Sequence, residues 1–299
     1  MGNVLTRGTL LPPVVTDQLF SKVKGKSSLA RLSASEPIPF NGETVFMFSL
    51  DNEVDLVGEN GAKSNGGATI APVSMVPVKV EYGFRVSDEF KYGTEEVRLQ
   101  YLTAFADGFA KKVARGLDIM AIHGVNPRSA EAAAALSGKN FDDLVTNVVV
   151  FDSDKPQDNI TAAIAMIGDE IDVTGLAMAP AMKAALANLK TAKDSNIPLF
   201  PELGWGSTMT ALNGLAADSN TTMSFASSVD RALVGNFADY FKWGFAKQIP
   251  IEVIEYGDPD NSGYDLKGHN QVYIRGETYI GWGILDKDAF ALVKAGASA

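Results

Sequence analysis

The sequence contains no cysteine and only two histidines, His123 and His269, among its 299 residues. The absence of thiols excludes disulfides, thiolate nucleophiles, iron–sulfur clusters and cysteine-ligated zinc. Two histidines cannot form a three-histidine metal site within one chain. No apolar run reaches the roughly 18 residues of a membrane-spanning helix. These shortages exclude many kinds of redox, metal-dependent and membrane protein.

Motifs for phosphate binding and hydrolysis are also missing. The Gly-Lys steps at 25–26 and 138–139 lack the upstream glycine of a phosphate-binding loop. Neither Gly-x-Ser-x-Gly nor His-Glu-x-x-His occurs. We expect His123 to be a satisfied, partly buried imidazole, which leaves acid–base catalysis to carboxylates that form no convincing pair. No local signal favours an enzyme.

One acidic turn is similar to the start of a calcium-binding loop. Asp258, Asp260 and Ser262 precede a glycine, but position twelve is His269, where such a loop needs a glutamate. We interpret this segment as the turn of a β-hairpin.

Acidic residues outnumber basic ones, 36 against 26, which gives a formal charge of -10. A chain of this charge is poorly suited to gripping phosphate backbones, which clustered lysines and arginines bind. Its 46% hydrophobic content is enough for a packed core.

Two alternating segments flank a glycine-rich stretch. Residues 45–50 and 76–86 alternate as strands do, and four glycines lie within 58–67. The pattern predicts an extended hairpin of about 40 residues with a mobile tip, and Pro77 favours an edge strand. A two-stranded ribbon of this length is marginal in water, so we expect it to lie on a partner chain.

The clearest helix is predicted over residues 94–123. Thr94 suits the N-cap, Glu95 and Glu96 suit the first turn, and Gly124 ends the helix. The predicted apolar core of this helix consists of Leu99, Leu102, Phe105, Ala106, Phe109, Val113 and Leu117.

Further elements follow along the chain. We expect short helices at 16–24 and 129–136, longer ones at 158–173 and 180–193, and short strands at 176–179, 208–215, 224–225 and 232–237. A long hairpin is predicted over 247–285, with one more strand at 286–294.

The order of these parts resembles the major capsid proteins of tailed double-stranded-DNA bacteriophages, whose shared fold is the HK-ninety-seven type. The similarity lies in the tip Glu59-Asn-Gly-Ala-Lys-Ser, the passage Val78–Phe90, the run Gly175-Leu-Ala-Met-Ala-Pro, the pair Ala232–Phe237 and Ile249–Val253, and the ending Val272–Phe290. The resemblance implies an α+β fold. Its parts would be an N-terminal arm at 1–41, an extended loop at 42–85, a peripheral domain at 86–154 with the spine helix at 94–123, an axial α/β domain at 155–245, and return strands with a C-terminal strand at 246–299.

The resemblance also implies a function. The chain would be a non-enzymatic shell subunit that assembles into hexamers and pentamers of an icosahedral head, and would enclose DNA without binding it specifically. It would need no cofactor, metal or membrane. Because the arm begins almost at Met1, we expect a separate scaffolding protein, besides a portal and a possible decoration protein. Assembly would occur in the host bacterial cytoplasm, and the mature location would be the virion.

Contacts between subunits are expected along the extended loop. The candidate residues are Asp51, Glu53, Asp55, Glu59, Lys63, Val76, Val78 and Val80. Charges on such a loop pair with a neighbour when the two surfaces are complementary.

Some capsid proteins of this type join a loop lysine to an asparagine with the help of a glutamate. Lys63 matches the lysine and Glu252 matches the helper, but residues 241–250 contain no asparagine. We therefore expect no such cross-link.

Two alternatives remain open. An encapsulin, a bacterial compartment of the same fold, would show a groove for a cargo peptide. A soluble carboxylate-dependent enzyme would be favoured if the chain were a discrete monomer.

Overall fold

A computed structural model describes residues 27–192, 195–204 and 209–296, with backbone only for 247–250. The helix expected at 16–24 lies outside these residues. The α-helices are α1 Ser28–Leu32, α2 Glu95–His123, α3 Phe141–Leu144, α4 Pro156–Ile167, α5 Pro180–Ala187 and α6 Phe237–Tyr240. The strands are β1 Glu43–Leu50, β2 Ala68–Met75, β3 Val78–Ser87, β4 Val148–Phe151, β5 Gly175–Met178, β6 Ala211–Leu212, β7 Leu215–Ser219, β8 Asp230–Gly235, β9 Phe241–Ile254, β10 Gln271–Ile284 and β11 Phe290–Ala295.

The strands form three separate sheets among the described residues. Strands β1 and β2 make a two-stranded ribbon, strands β3-β10-β9 make an antiparallel sheet, and β4-β11-β8-β5-β7-β6 make a mixed sheet. We call them the ribbon, the peripheral sheet and the axial sheet. No helix in the described part of the chain is both long and apolar enough to cross a membrane.

Helix α2 runs for 29 residues, about 44 Å. The Thr94 side chain accepts a hydrogen bond from the Val97 N–H, and Gly124 ends the helix in the left-handed conformation with its N–H on the Met120 carbonyl. These caps satisfy backbone groups that a helix end leaves unpaired. The helix therefore begins and ends where its sequence signals lie.

The ribbon differs from the predicted hairpin in its second strand. That strand is Ala68–Met75, with Phe46 opposite Pro72 and Phe48 opposite Ile70, and not the 76–86 segment. Strand β3 instead pairs with β10 and packs Phe84 against Phe105 of α2, with ring centroids 5.1 Å apart. The alternating apolar face of 78–86 is partly buried there against the chain's own helix through Val78, Val80 and Val86, which removes more apolar surface from water than a free ribbon would.

Four further elements differ from the prediction. Helix α4 ends at Ile167 because Gly168 takes a positive φ of 87°, and α5 ends at Ala187 instead of 193. Only Ala134–Leu136 of the 129–136 segment is helical, as a single 3₁₀ turn. Residues 224–225 belong to a 3₁₀ segment, Thr221–Ser227, instead of a strand.

The axial sheet takes strands from outside the expected 155–245 range. Strand β11 lies between β4 and β8, parallel to β4 and antiparallel to β8. The C-terminal strand is thus an interior strand of this sheet, and does not extend the peripheral hairpin. Sequence periodicity could not indicate this, because it shows that a strand exists and not which strands it pairs with.

One apolar core joins the two large sheets. Trp243 and Trp282 of the peripheral sheet belong to the same buried cluster as Leu233 and Phe290 of the axial sheet. Helix α2 contributes the middle of this cluster, including the fully buried Leu117. A second cluster lies between the other face of the axial sheet and helices α4 and α5.

Burying a charge in the stripe of α2 should unfold the chain. Leu102 is buried with Ile251 and Ile274, so we expect Leu102→Asp to lower the free energy of unfolding by about 3–5 kcal/mol. Phe109→Asp should act likewise. Circular dichroism and denaturant titration of the full chain measure the loss. Ala104→Asp, on an exposed position of the same helix, is the matched control, and equal losses in both variants would contradict the assignment.

Candidate assembly interface

The ribbon exposes a set of large apolar side chains. Phe46, Phe48, Leu50 and Ile70 are each more than half exposed. A monomeric protein rarely leaves such a patch uncovered, and a two-stranded ribbon needs support to be stable in water. The ribbon has the surface of an element that another molecule covers.

The tip loop, residues 51–67, continues this pattern. Val54 is 95% and Leu56 98% exposed. The Asp51 carboxylate accepts a hydrogen bond of 2.6 Å from the Gly67 N–H and so closes the base of the loop. The other predicted contact residues of the loop form no ion pair with any described residue: Glu53, Asp55, Glu59 and Lys63. Uncompensated charges beside exposed aliphatic groups are a suitable contact surface for a second protein.

The valines assigned to the same surface divide into two groups. Val78 and Val80 pack against the core cluster of their own chain, because β3 covers α2. Val76 is 48% exposed beside the base of the ribbon. Of the three valines, Val76 is the most exposed and so the most accessible to a neighbouring copy.

The first turns of α2 are exposed as well. Leu99, predicted as part of the helix core, is 40% exposed, and Tyr101 is more exposed still. The core begins one turn later, at Leu102, and before it Phe90 of the preceding 3₁₀ turn gives the Tyr101 ring only an edge contact, with ring centroids 6.1 Å apart. The remaining predicted core residues are buried, or half-buried in the case of Phe105: Leu102, Ala106, Phe109, Val113 and Leu117.

The ribbon and the preceding segment rest on glycines of the peripheral sheet. A Cβ on Gly244 would lie 1.6 Å from the Glu36 carbonyl oxygen, and one on Gly283 would lie 2.5 Å from Met75 Cγ. The Glu36 N–H donates to the Trp243 carbonyl at 2.9 Å. These close approaches need residues without side chains. In the sequence these glycines stand in the steps Trp243-Gly244 and Gly281-Trp282-Gly283. Their role was not predicted, because the sequence of one strand does not show which segment packs across it.

A buried group of four charged side chains joins α2 to the axial sheet. His123 Nδ1 lies 2.9 Å from Asp142 Oδ2 and 3.1 Å from Asp230 Oδ2, and Lys294 Nζ lies 2.6 Å from Asp142 Oδ1. His123 Nε2 lies 2.9 Å from the Thr222 carbonyl, which can only accept, so Nε2 donates. Because Nδ1 faces two carboxylates, it also carries a proton, and His123 is an imidazolium.

The pKa of His123 follows from this arrangement. Burial alone would lower it, but hydrogen bonds to Asp142 and Asp230 raise the pKa to about 9. Burial opposes ionisation of Asp230, yet hydrogen bonds from His123 and Ser228 hold its pKa below the usual range. His123, Asp142 and Asp230 could hold a metal ion by their spacing. The two cations and two anions already sum to zero charge, so the group is balanced electrostatically without a metal.

A further buried acid, Asp118, lies on helix α2. Asp118 is fully buried and accepts hydrogen bonds from the Ser27 hydroxyl, from the Ser28 N–H at 2.9 Å, from the Leu29 N–H at 3.2 Å and from the Thr222 hydroxyl at 2.8 Å. Desolvation raises the pKa of this carboxyl to about 6 despite these bonds. Sequence reasoning missed Asp118 because its side-chain partners Ser27 and Thr222 lie 91 and 104 residues away along the chain.

Two carboxylates of the acidic turn after β9 form ion pairs with Arg85. Arg85 Nη2 lies 2.5 Å from both Asp258 and Asp260, and the Gly263 N–H donates to Asp258. The turn is therefore the hairpin connection expected from the sequence. Glu252, considered above as a cross-linking helper, pairs with Arg275 at 2.8 Å. The absence of a cross-link stays a prediction.

Comparisons with known proteins agree on one family. The model of the phage capsid family matches residues 7–295. The solved structure of a chain from Mycobacterium phage Ogopogo is 34% identical, with a TM-score of 0.76, and the match covers 91% of this chain and 92% of that one. A chain from Gordonia phage Cozz is 24% identical, with a TM-score of 0.72 and coverage of 91% and 87%. A chain described as the capsid of an empty GTA particle is 15% identical, with a TM-score of 0.64 and coverage of 91% and 90%. Comparison with curated protein sequences gives no match.

Because His123 is protonated in the folded chain, the free energy of unfolding should fall as the pH becomes alkaline. The folded-state pKa of about 9 exceeds the unfolded value near 6.5, so its contribution is complete below pH 6.5 and is lost as pH rises to 9. The loss should be about 3 kcal/mol. Denaturant titrations at pH 6.5 and 9 should show this fall in the unmodified chain and a smaller one in His123→Gln. His269→Gln is the control, and an unchanged fall in His123→Gln would reject the imidazolium.

A methyl group at Gly244 should displace the segment around Glu36, which packs across the peripheral sheet there. We expect Gly244→Ala to lower the free energy of unfolding by about 1–3 kcal/mol, because its Cβ overlaps the backbone at Glu36. Gly108→Ala adds the same methyl group in open space on α2 and should cost nothing. Thermal melting of both variants tests this, and a neutral Gly244→Ala would show that the crossing is not tight.

Proposed function

Since the chain belongs to the phage capsid family and is a shell-forming major capsid protein, we propose that its ribbon and tip loop, residues 43–75, lie on a neighbouring copy in each capsomer. The observation that carries this proposal is the exposure of Val54 and Leu56 at the far end of a ribbon that rests on its own subunit only near its base. Covering these side chains would remove apolar surface from water and satisfy the free strand edges.

The charges of the tip loop support the same role. Glu53, Asp55 and Glu59 have no cationic partner among the described residues, so a neighbour with a basic surface would gain by pairing with them. Exposed ion pairs contribute little affinity and mainly fix the register of a contact. The aliphatic groups would supply the affinity, and the carboxylates would select the position.

The domain layout follows the sheets. We propose an arm up to residue 41, the ribbon with its tip loop, a peripheral domain built on α2 and the peripheral sheet, and an axial domain built on the axial sheet. The first turns of α2, with the exposed Leu99 and Tyr101, form a second surface for contacts between copies.

The assembled form is an icosahedral bacteriophage capsid. We propose that its capsomers are hexamers and pentamers, and that the shell encloses double-stranded DNA. Assembly would take place in the bacterial cytoplasm with a separate scaffolding protein and a portal, and the shell would have room for a decoration protein on its outside. The net charge of -10 suits a container that holds DNA without adhering to it. Its role is structural.

An encapsulin-like compartment is the competing function for this fold. The two differ in what the shell contains, which is DNA for a phage head and an enzyme cargo for an encapsulin. Electron microscopy of the chain expressed alone, with light scattering, should show closed shells, sheets, or rings of five or six. A persistent 31.8 kDa monomer, even with a scaffolding protein added, would contradict the proposal.

Deleting the glycine-rich part of the tip loop should separate folding from assembly. We expect deletion of residues 58–67 to leave a soluble, folded chain, because no core residue lies there, and to abolish closed shells. The double variant Val54→Ser with Leu56→Ser keeps the loop length and should weaken assembly in the same direction. Electron microscopy and circular dichroism provide the two readouts, and intact shells from the deletion would refute the role of the loop.

A further inference from the structure

Three separate segments meet at the buried Asp118 carboxylate. We call residues Ser27–Leu32, which lie within the proposed arm, the arm base, and we call the 3₁₀ segment Thr221–Ser227 the connector. We propose that Asp118 is a junction between the two segments, so that detaching the arm base also loosens the connector. Because the connector leads into strand β8, the effect reaches the axial sheet.

The arm base depends on Asp118 for its attachment to α2. The carboxylate accepts from the Ser27 hydroxyl and from the N–H groups of Ser28 and Leu29, which are the first donors of α1. A helix of five residues is not stable by itself. Hydrogen bonds to an ionised group are stronger than neutral ones, so these three add to the attachment that the buried Leu29 and Ala30 provide.

The connector is held by the same side chain. The Thr222 hydroxyl donates to Asp118 Oδ2 at 2.8 Å, while His123 Nε2 donates to the Thr222 carbonyl at 2.9 Å. Further along the connector, Ala226 and Ser227 have positive φ angles of 52° and 64°. Such conformations cost energy in residues other than glycine and persist only where surrounding contacts impose them. The connector is a strained segment fixed by its contacts with α2.

The two attachments share one acceptor that has no described cation beside it. The four hydrogen bonds are what stabilise an ionised carboxylate at this depth. If the arm base moves away, Asp118 loses three of its four donors at once. The carboxylate must then take up water or a proton, and either change weakens its hold on Thr222. The connector leads directly into β8, whose Asp230 contacts His123, so a movement of the arm reaches the axial sheet within the same subunit.

A second route runs beside this junction. The Ser28 hydroxyl and Arg31 both reach Asp218 of β7, at 2.6 Å each. A general loosening of α1 could therefore disturb the axial sheet without Asp118. Ser33 provides the matched control, because its hydroxyl bonds the Leu29 carbonyl at 2.9 Å and stabilises α1 without touching Asp118.

Hydrogen–deuterium exchange on the full-length chain tests the junction. We expect Ser27→Ala to speed exchange roughly tenfold or more at amides of both the arm base and the connector, since losing a bond to a charged group costs more than a neutral bond. Coupling is reciprocal, so Thr222→Val should speed exchange in the arm base. Thr222→Ser, which keeps the hydroxyl, should give the exchange rates of the unmodified chain in the arm base. Ser33→Ala should speed exchange in the arm base alone.

Two results would overturn the inference. One is a Ser27→Ala effect confined to the arm base. The other is an equal effect of Ser33→Ala on the connector, which would assign the coupling to packing or to Asp218. The inference rests on the proposed function only in treating the chain up to residue 41 as an arm. Shell formation by the same variants, viewed by electron microscopy, is a separate readout, so closed shells with uncoupled exchange would reject the junction and leave the proposed function standing.

Discussion

The burial of one long helix by two different sheets is the constraint on which the rest of the structure depends. The middle of α2 packs against the peripheral sheet through Leu102 and Phe109, and its C-terminal half enters the core shared with the axial sheet through Leu117. Because one rigid rod serves both sheets, neither can shift along it without exposing apolar surface. The polar contacts of Asp118 and His123 are made from the same C-terminal half of the helix.

The elements with strong local signals could be predicted from the sequence, and their pairing could not. Helix α2 and the β9–β10 hairpin have caps, turns or alternation within a few residues, and these signals gave their positions well. The second ribbon strand was misplaced because 76–86 alternates more strongly than 68–75, although its apolar face serves the core. The interior position of β11 and the buried contacts of Asp118 are set by residues far away along the chain, about which a single sequence is silent.

The subunit divides its apolar surface between two purposes. Residues such as Phe141 and Phe290 are fully buried within the chain, whereas Phe46 and Leu56 have no cover in the described structure. The first group stabilises the fold of a single copy, and the second is available for association. The resemblance to capsid proteins predicted contacts between copies along the extended loop, 42–85, which contains this exposed group, and that role stays a prediction. The glycines that support its base, Gly244 and Gly283, emerged only from the close backbone contacts.

The interior position of β11 has a consequence for how the chain is made. Strand β11 pairs with β4 and β8 on its two sides, yet the ribosome synthesises it after the other five strands of the axial sheet. Until residues 290–295 emerge, the facing edges of β4 and β8 stay unpaired and the shared core lacks Phe290 and Leu292. The axial sheet and the shared core can therefore be completed only after residues 290–295 have been synthesised, which makes the last strand of the chain the one that closes the subunit.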